Sequence, residues 1–235
     1  MLRFATETDK GHVRKINEDS LLAAPKLGLW VLADGVGGNQ SGEIASKMAC
    51  GYMLNEVARG TPLQQALFNS HKAIQVASEN DRNLDGMATT IVACHIDQSV
   101  YQISWVGDSR GYIWNGSFLQ QLTRDHSYIE QLVEEEKISR LEAATHPYRH
   151  VLLHALGSGD VDLLRVDTVS GSLSDGDVVL LCSDGLTEEV NDEDIARILE
   201  SELDLRDKAH CLLETSKNNG GRDNISIILI QYGGN

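Results

Sequence analysis

The stretch Leu29-Trp30-Val31-Leu32-Ala33-Asp34-Gly35-Val36-Gly37-Gly38 is an apolar run that stops on a carboxylate followed by glycine. It reads as a buried strand whose end holds Asp34 at a rigid sheet edge. The glycines let the following backbone, including the Gly35 carbonyl, approach an ion closely. Taken alone, Asp-Gly after a strand is only a turn signal.

The pattern recurs outward from this point. Val178–Cys182 leads into Ser183-Asp184-Gly185, and Trp105-Val106-Gly107 leads into Asp108-Ser109. Asp223-Asn224 reverses the order, standing just before the apolar run that begins at Ile225. Two carboxylates about 5 Å apart repel by roughly 3 kcal/mol at an effective dielectric near 20. Converging acids of this kind therefore call for cations or protonation. Ligands that are all oxygen favour Mg²⁺ or Mn²⁺ over zinc. No D-x-[DN]-x-[DN]-G loop occurs, so an EF-hand is not expected. In Arg14-Lys15-Ile16-Asn17-Glu18-Asp19 a guanidinium precedes a fifth acid, Asp19. Its donor fork suits phosphate oxygens, and a surface ion pair is the other reading of the same arginine.

Around these points lie short β-type runs at Arg3–Thr6, Ser20–Ala23, Thr89–Ile96, Val100–Val106, Gly111–Trp114, Phe118–Leu122 and Ile225–Ile230. Ala45, Met48, Ala49, Tyr52 and Met53 keep the spacing of a buried helical stripe. A second helix is expected with Thr61 as N-cap, Pro62 at its first position, and Leu63, Ala66, Leu67 and Ile74 buried. Residues 125–145 read as helical, highly charged and mobile. Further helices are expected near 192–200 and from Asp204 to about Asn218. Strands in blocks with helices between them predict an α+β fold: two packed antiparallel sheets with helices outside.

The 235 residues show no repeat and only three prolines, which favours a single domain over 1–235. A net charge of −15 speaks against nucleic acid, whose binding draws on Lys and Arg. No apolar stretch approaches the roughly 20 residues of a membrane span, and the opening MLRFATETDK lacks a secretory pattern. A cytoplasmic protein is expected. Cys50, Cys94 and Cys182 sit in apolar runs as small hydrophobes. His146, His150 and His154 read as structural, since His-Pro at 146–147 interrupts a shared helical face.

Five segments together resemble the bacterial metal-dependent type-2C (PPM) serine/threonine protein phosphatases. They are Gly11–Asp19, Ala33–Gly38, Met87-Ala88-Thr89-Thr90, Val106–Arg110, and Cys182–Leu186 with Gly221–Asn224. The resemblance runs from about residue 6 to 231. It implies Asp34 bridging two Mn²⁺ or Mg²⁺ ions and the water that attacks phosphorus, with Asp184 and Asp223 completing one ion. Asp19 and the Gly35 carbonyl would bind the other ion, and Asp108 with Asp184 a third, weaker one. Arg14 would bind the phosphate. Phosphoserine and phosphothreonine proteins are the implied substrates of a monomeric enzyme opposing a Ser/Thr kinase. Residues 123–150 match the family's variable flap, which influences substrate choice. Val36 stands where eukaryotic relatives carry a proton-donating histidine, and Ala88 replaces a usual glycine. Other readings are a regulatory phosphoprotein-binding module of the same fold, a metal-dependent phosphodiesterase and a purely structural acidic protein.

Overall fold

The computed structural model describes residues 1–36, 41–143 and 145–233. Gly37 and Gly38, the end of the first motif, and Ala144, within the 123–150 segment, lie outside the described residues. The strands are β1 (Leu2–Asp9), β2 (Asp19–Ala24), β3 (Leu29–Val36), β4 (Ala88–Thr89), β5 (Ile91–Asp97), β6 (Val100–Val106), β7 (Arg110–Trp114), β8 (Leu119–Gln121), β9 (Asp167–Ser172), β10 (Val178–Cys182) and β11 (Ile225–Tyr232). The helices are α1 (Ser41–Ala58), α2 (Leu63–Asn80), α3 (Tyr128–Glu134), α4 (Arg140–Ala143), α5 (Asp184–Thr187), α6 (Asp192–Glu200) and α7 (Leu205–Asn219).

The strands form two antiparallel sheets, ordered β1-β11-β10-β7-β8 and β2-β3-β5-β6-β9, with β4 paired to the end of β3. The sequence explains the layering. Side chains alternate across a strand, and in β3 both sets are apolar. Leu29, Val31 and Ala33 pack with α1 and α2, whereas Trp30 and Leu32 face the second sheet. In β10, Leu180 and Cys182 pack with α6 and α7, and Val179 and Leu181 turn inward. Three apolar layers result, giving the expected packed sheets with helices outside. Among the described residues, no helix is long and apolar enough to cross a membrane.

Several local expectations are corrected. Tyr52 is exposed, and the buried face of α1 instead includes Gly42, Ser46 and Cys50 beside Ala45, Ala49 and Met53. Small residues win that face because the helix lies close to the sheet, where Ser46 Oγ donates to the Glu18 carbonyl at 2.6 Å. Pro62, with extended ψ, precedes α2, and Thr61 donates its hydroxyl to Glu56 at 3.3 Å rather than capping. The run Thr89–Ile96 breaks at Thr90, whose hydroxyl takes the Asp34 N–H at 3.3 Å and pairs with Ser109 at 2.7 Å. Among the described residues of 125–145, only those of α3 and α4 are α-helical. The edge strand β9, whose sequence DTVSGS offers a single large apolar residue, carries almost no hydrophobic signal.

Candidate metal centre

The predicted acids converge at one end of the sandwich because both sheets deliver them there. Asp19 opens β2 and is the register partner of Asp34 near the end of β3. Asp184 follows β10, Asp108 follows β6, and Asp223 precedes β11. Burial first, then the charges of Asp19, Asp184, Asp108 and Asp223, hold the Asp34 carboxyl well above the usual carboxylate range. Asp184 is raised likewise by burial, then by Asp108, Asp223, Glu188 and Asp19. Burial pushes Asp108 up to about 7 and Asp19 up to about 6, the latter opposed by hydrogen bonds from Ser226 and Ser183.

Backbone packing fixes this floor. A Cβ on Gly35 would lie 2.3 Å from the Gly42 carbonyl oxygen and 2.7 Å from that of Glu18, so only glycine fits. Gly107 adopts φ +102°, and a Cβ there would press on Thr90 at 2.6 Å. Asn224 pins the Arg14–Asp19 loop. Its amide donates to the carbonyls of Lys10 and Ile16 at 3.0 Å each, and its oxygen takes the Glu18 N–H at 2.8 Å. Ser183, although it stands at the N-cap of α5, spends its hydroxyl on Asp19 at 3.0 Å.

Three oxygens, Glu18 Oε1, Asp19 Oδ1 and Asp184 Oδ1, are shut off from solvent without a hydrogen-bond partner. Burying a charge or acceptor without a partner is costly, and an oxygen set of this kind suits a hard divalent cation. The residues therefore fit the implied ions. Arg14 donates to Asp223 at 2.6 Å, so the ion-pair reading of that arginine also holds. No three of the five predicted aspartates bring donor atoms within 4.8 Å of one another among the described residues. Like charges resist closer approach, and Asp223 is paired with Arg14.

His150, Asp184 and Glu188 do meet that spacing, with one donor atom each within 4.8 Å and His150 Nδ1 2.7 Å from Glu188 Oε1. The purely structural reading of His150 is thus incomplete. Sequence reasoning also missed Glu18, Ser183, Glu188 and the Asn224 clamp. Glu18, Ser183 and Asn224 stand next to the aspartates within the family-like segments, whereas Glu188, four residues beyond Asp184, carries no such signal.

Residues 9–220 match the family model described as protein phosphatase 2C. The serine/threonine phosphatase stp of Listeria innocua is 36% identical over 239 aligned positions, covering 95% of this chain and 93% of that protein. The crystal structure of the Mycobacterium tuberculosis serine/threonine phosphatase PstP/Ppp superposes with a TM-score of 0.90 at 32% identity, over 99% of both chains. The PstP catalytic domain in complex with two manganese ions gives a TM-score of 0.87 at 31% identity, again over 99% of both chains.

Proposed function

The chain belongs to the protein phosphatase 2C family of metal-dependent serine/threonine phosphatases, and from that premise we propose how its own residues divide the work. The protein is a metal-dependent Ser/Thr protein phosphatase. The convergence of five aspartates from both sheets, with two of their oxygens buried and unpartnered, carries the assignment of roles.

We read Asp34 as the ligand shared between two Mn²⁺ or Mg²⁺ ions, because it stands in strand register with Asp19 and lies in the field of Asp184, Asp108 and Asp223 from the other elements. Asp184 and Asp223 belong to one ion. Asp19 and the Gly35 carbonyl belong to the other, with Glu18 beside them. When bound, the ions lower the pKa of a water molecule and offset charge on phosphoryl oxygens. Arg14 retains donors beyond the one on Asp223, and these suit two phosphoryl oxygens as charge builds in the transition state. Asp184 has two sets of partners for a third, weaker ion: Asp108, or His150 with Glu188. Residues 1–235 are read as one phosphatase domain with the flap at 123–150, acting on phosphoproteins made by a Ser/Thr kinase.

Hydrolysis of p-nitrophenyl phosphate with Mn²⁺, abolished by EDTA and by Asp34→Ala, tests the assignment. Binding of phosphoproteins without turnover under any divalent ion would favour the binding-module reading. Faster hydrolysis of bis-p-nitrophenyl phosphate than of the monoester would favour a diesterase.

A further inference from the structure

A cavity of about 690 Å³ adjoins the carboxylates and is lined by Asp108 and Asp184 together with residues of the 123–150 segment. Its charges sort into pairs. Arg110 grips Asp125 through two nitrogens, with Nη2 2.7 Å from Oδ2. Arg140 holds Glu130 at 3.0 Å, and His150 meets Glu188 at 2.7 Å. Once these pairs are set aside, two acids remain, Asp108 and Asp184, both assigned above to cations. Two arginines remain as well.

Those arginines are Arg149 and Arg222. Among the described residues, the Arg149 side chain makes no ion pair or hydrogen bond. Arg222 reaches Glu189 only at 3.5 Å, and its side chain is 66% exposed. In a chain of net charge −15, an unengaged cation beside the catalytic acids is an unusual use of one of only 20 basic residues. Hydrolysis of the target phosphate, as proposed above, already has Arg14 beside Asp223, so it leaves both arginines unused.

We propose that Arg149 and Arg222 form an anion subsite for a second acidic group of the phosphoprotein, a carboxylate or another phosphate a few residues from the one hydrolysed. The inference rests on the phosphatase reading and names its substrate class. Guanidinium groups match planar and tetrahedral oxyanions through paired donors. The protein's net field repels acidic segments in general, so this local pair marks where one is accepted. Arg222 comes from the loop that carries Asp223, and Arg149 from the flap. An acidic flank held by both would orient the chain across the metal centre.

The test uses the full-length, Mn²⁺-loaded enzyme and a set of phosphothreonine peptides of one sequence. Each peptide carries alanine, glutamate or phosphoserine at one position two to five residues to either side. We expect glutamate or phosphoserine at one set of positions to raise kcat/KM about fivefold over alanine, less at high salt. Arg149→Gln should bring that ratio close to one, and Arg149→Lys should keep part of it. A ratio compared within one preparation is insensitive to loss of folded enzyme. Enhancement by phosphoserine alone would narrow the ligand to a second phosphate, and enhancement by both would make it any acidic flank. Equal ratios in wild type and Arg149→Gln, or no favoured position at all, would overturn the subsite. Absence of hydrolysis of every peptide and of p-nitrophenyl phosphate would overturn the phosphatase reading itself.

Discussion

At the floor of the site, Asp19 and Asp34 face each other in strand register, Asn224 ties the neighbouring loop with three hydrogen bonds, and glycine alone fits at 35. In the segment 123–150, by contrast, two short helices are joined largely by surface ion pairs: Arg140–Glu130, Lys137–Glu135 and Arg124 with both Glu130 and Glu134. Exposed ion pairs contribute about 0–1 kcal/mol each, whereas buried backbone contacts leave a strand no alternative register. The floor is thus specified by packing, and the outer part of the flap, beyond buried Ser127 and Ile129, by weak, salt-sensitive contacts. Chemistry that tolerates no displacement sits on the first. In the reading proposed above, selection among substrates, which benefits from adjustment, falls to the second.

The contrast can be broken most directly at its strongest point. Asp34→Asn should lower Mn²⁺-dependent kcat by about a thousandfold or more, since the group we propose both ions share is lost. The same change should raise the melting temperature of the metal-free protein by relieving repulsion among buried acids. A lower metal-free melting temperature would contradict the electrostatic account. Asn224→Ala comes next: losing three bonds to buried backbone should cost about 2–3 kcal/mol and lower kcat some tenfold to a hundredfold. Denaturant melts and steady-state rates check both.

The third test concerns pH. Asp108 and Asp19 titrate in the folded, metal-free protein near 7 and 6, above the ordinary 3.8. Their contribution to stability is therefore fully present below about pH 4 and is lost as pH rises through 6 to 7. Without metal, the melting temperature should be about 5 °C higher at pH 5 than at pH 8, with a shallower dependence in Asp108→Asn. Mn²⁺ should stabilise more at pH 8 than at pH 5, because protons compete for the same oxygens. The smallest effect is expected in the flap. Arg140→Ala removes a pair whose arginine is 71% exposed and should shift the melting temperature by less than about 2 °C. A large drop there would mean that the flap is as tightly specified as the floor.

Much of the floor was legible in the sequence because its signals are local: an apolar run, then Asp-Gly. The partners of those acids were not, since Ser183 and Asn224 carry no periodicity and gain their roles only when strands distant in sequence meet. Strand β9 escaped for the opposite reason, being an edge strand with too little apolar content to mark it. His150 was set aside on a sound local argument about His-Pro, yet no helix is needed to bring it to Glu188. Tyr52 was misplaced because the spacing fits a stripe but does not say where its centre lies. The packing of Ser46 against the Glu18 carbonyl decides that.

The Asn224 clamp has a consequence for the order in which the enzyme comes into being. It joins positions 206 and 208 residues apart, and Ser183 reaches Asp19 across 164. Its neighbour β11 lies between β1 and β10. Contacts of such separation form late and slowly. On a ribosome, then, the chain stays catalytically silent until β11 has slotted between two strands that have waited for it. Competence to remove phosphate arrives as one event, with no half-active fragment along the way.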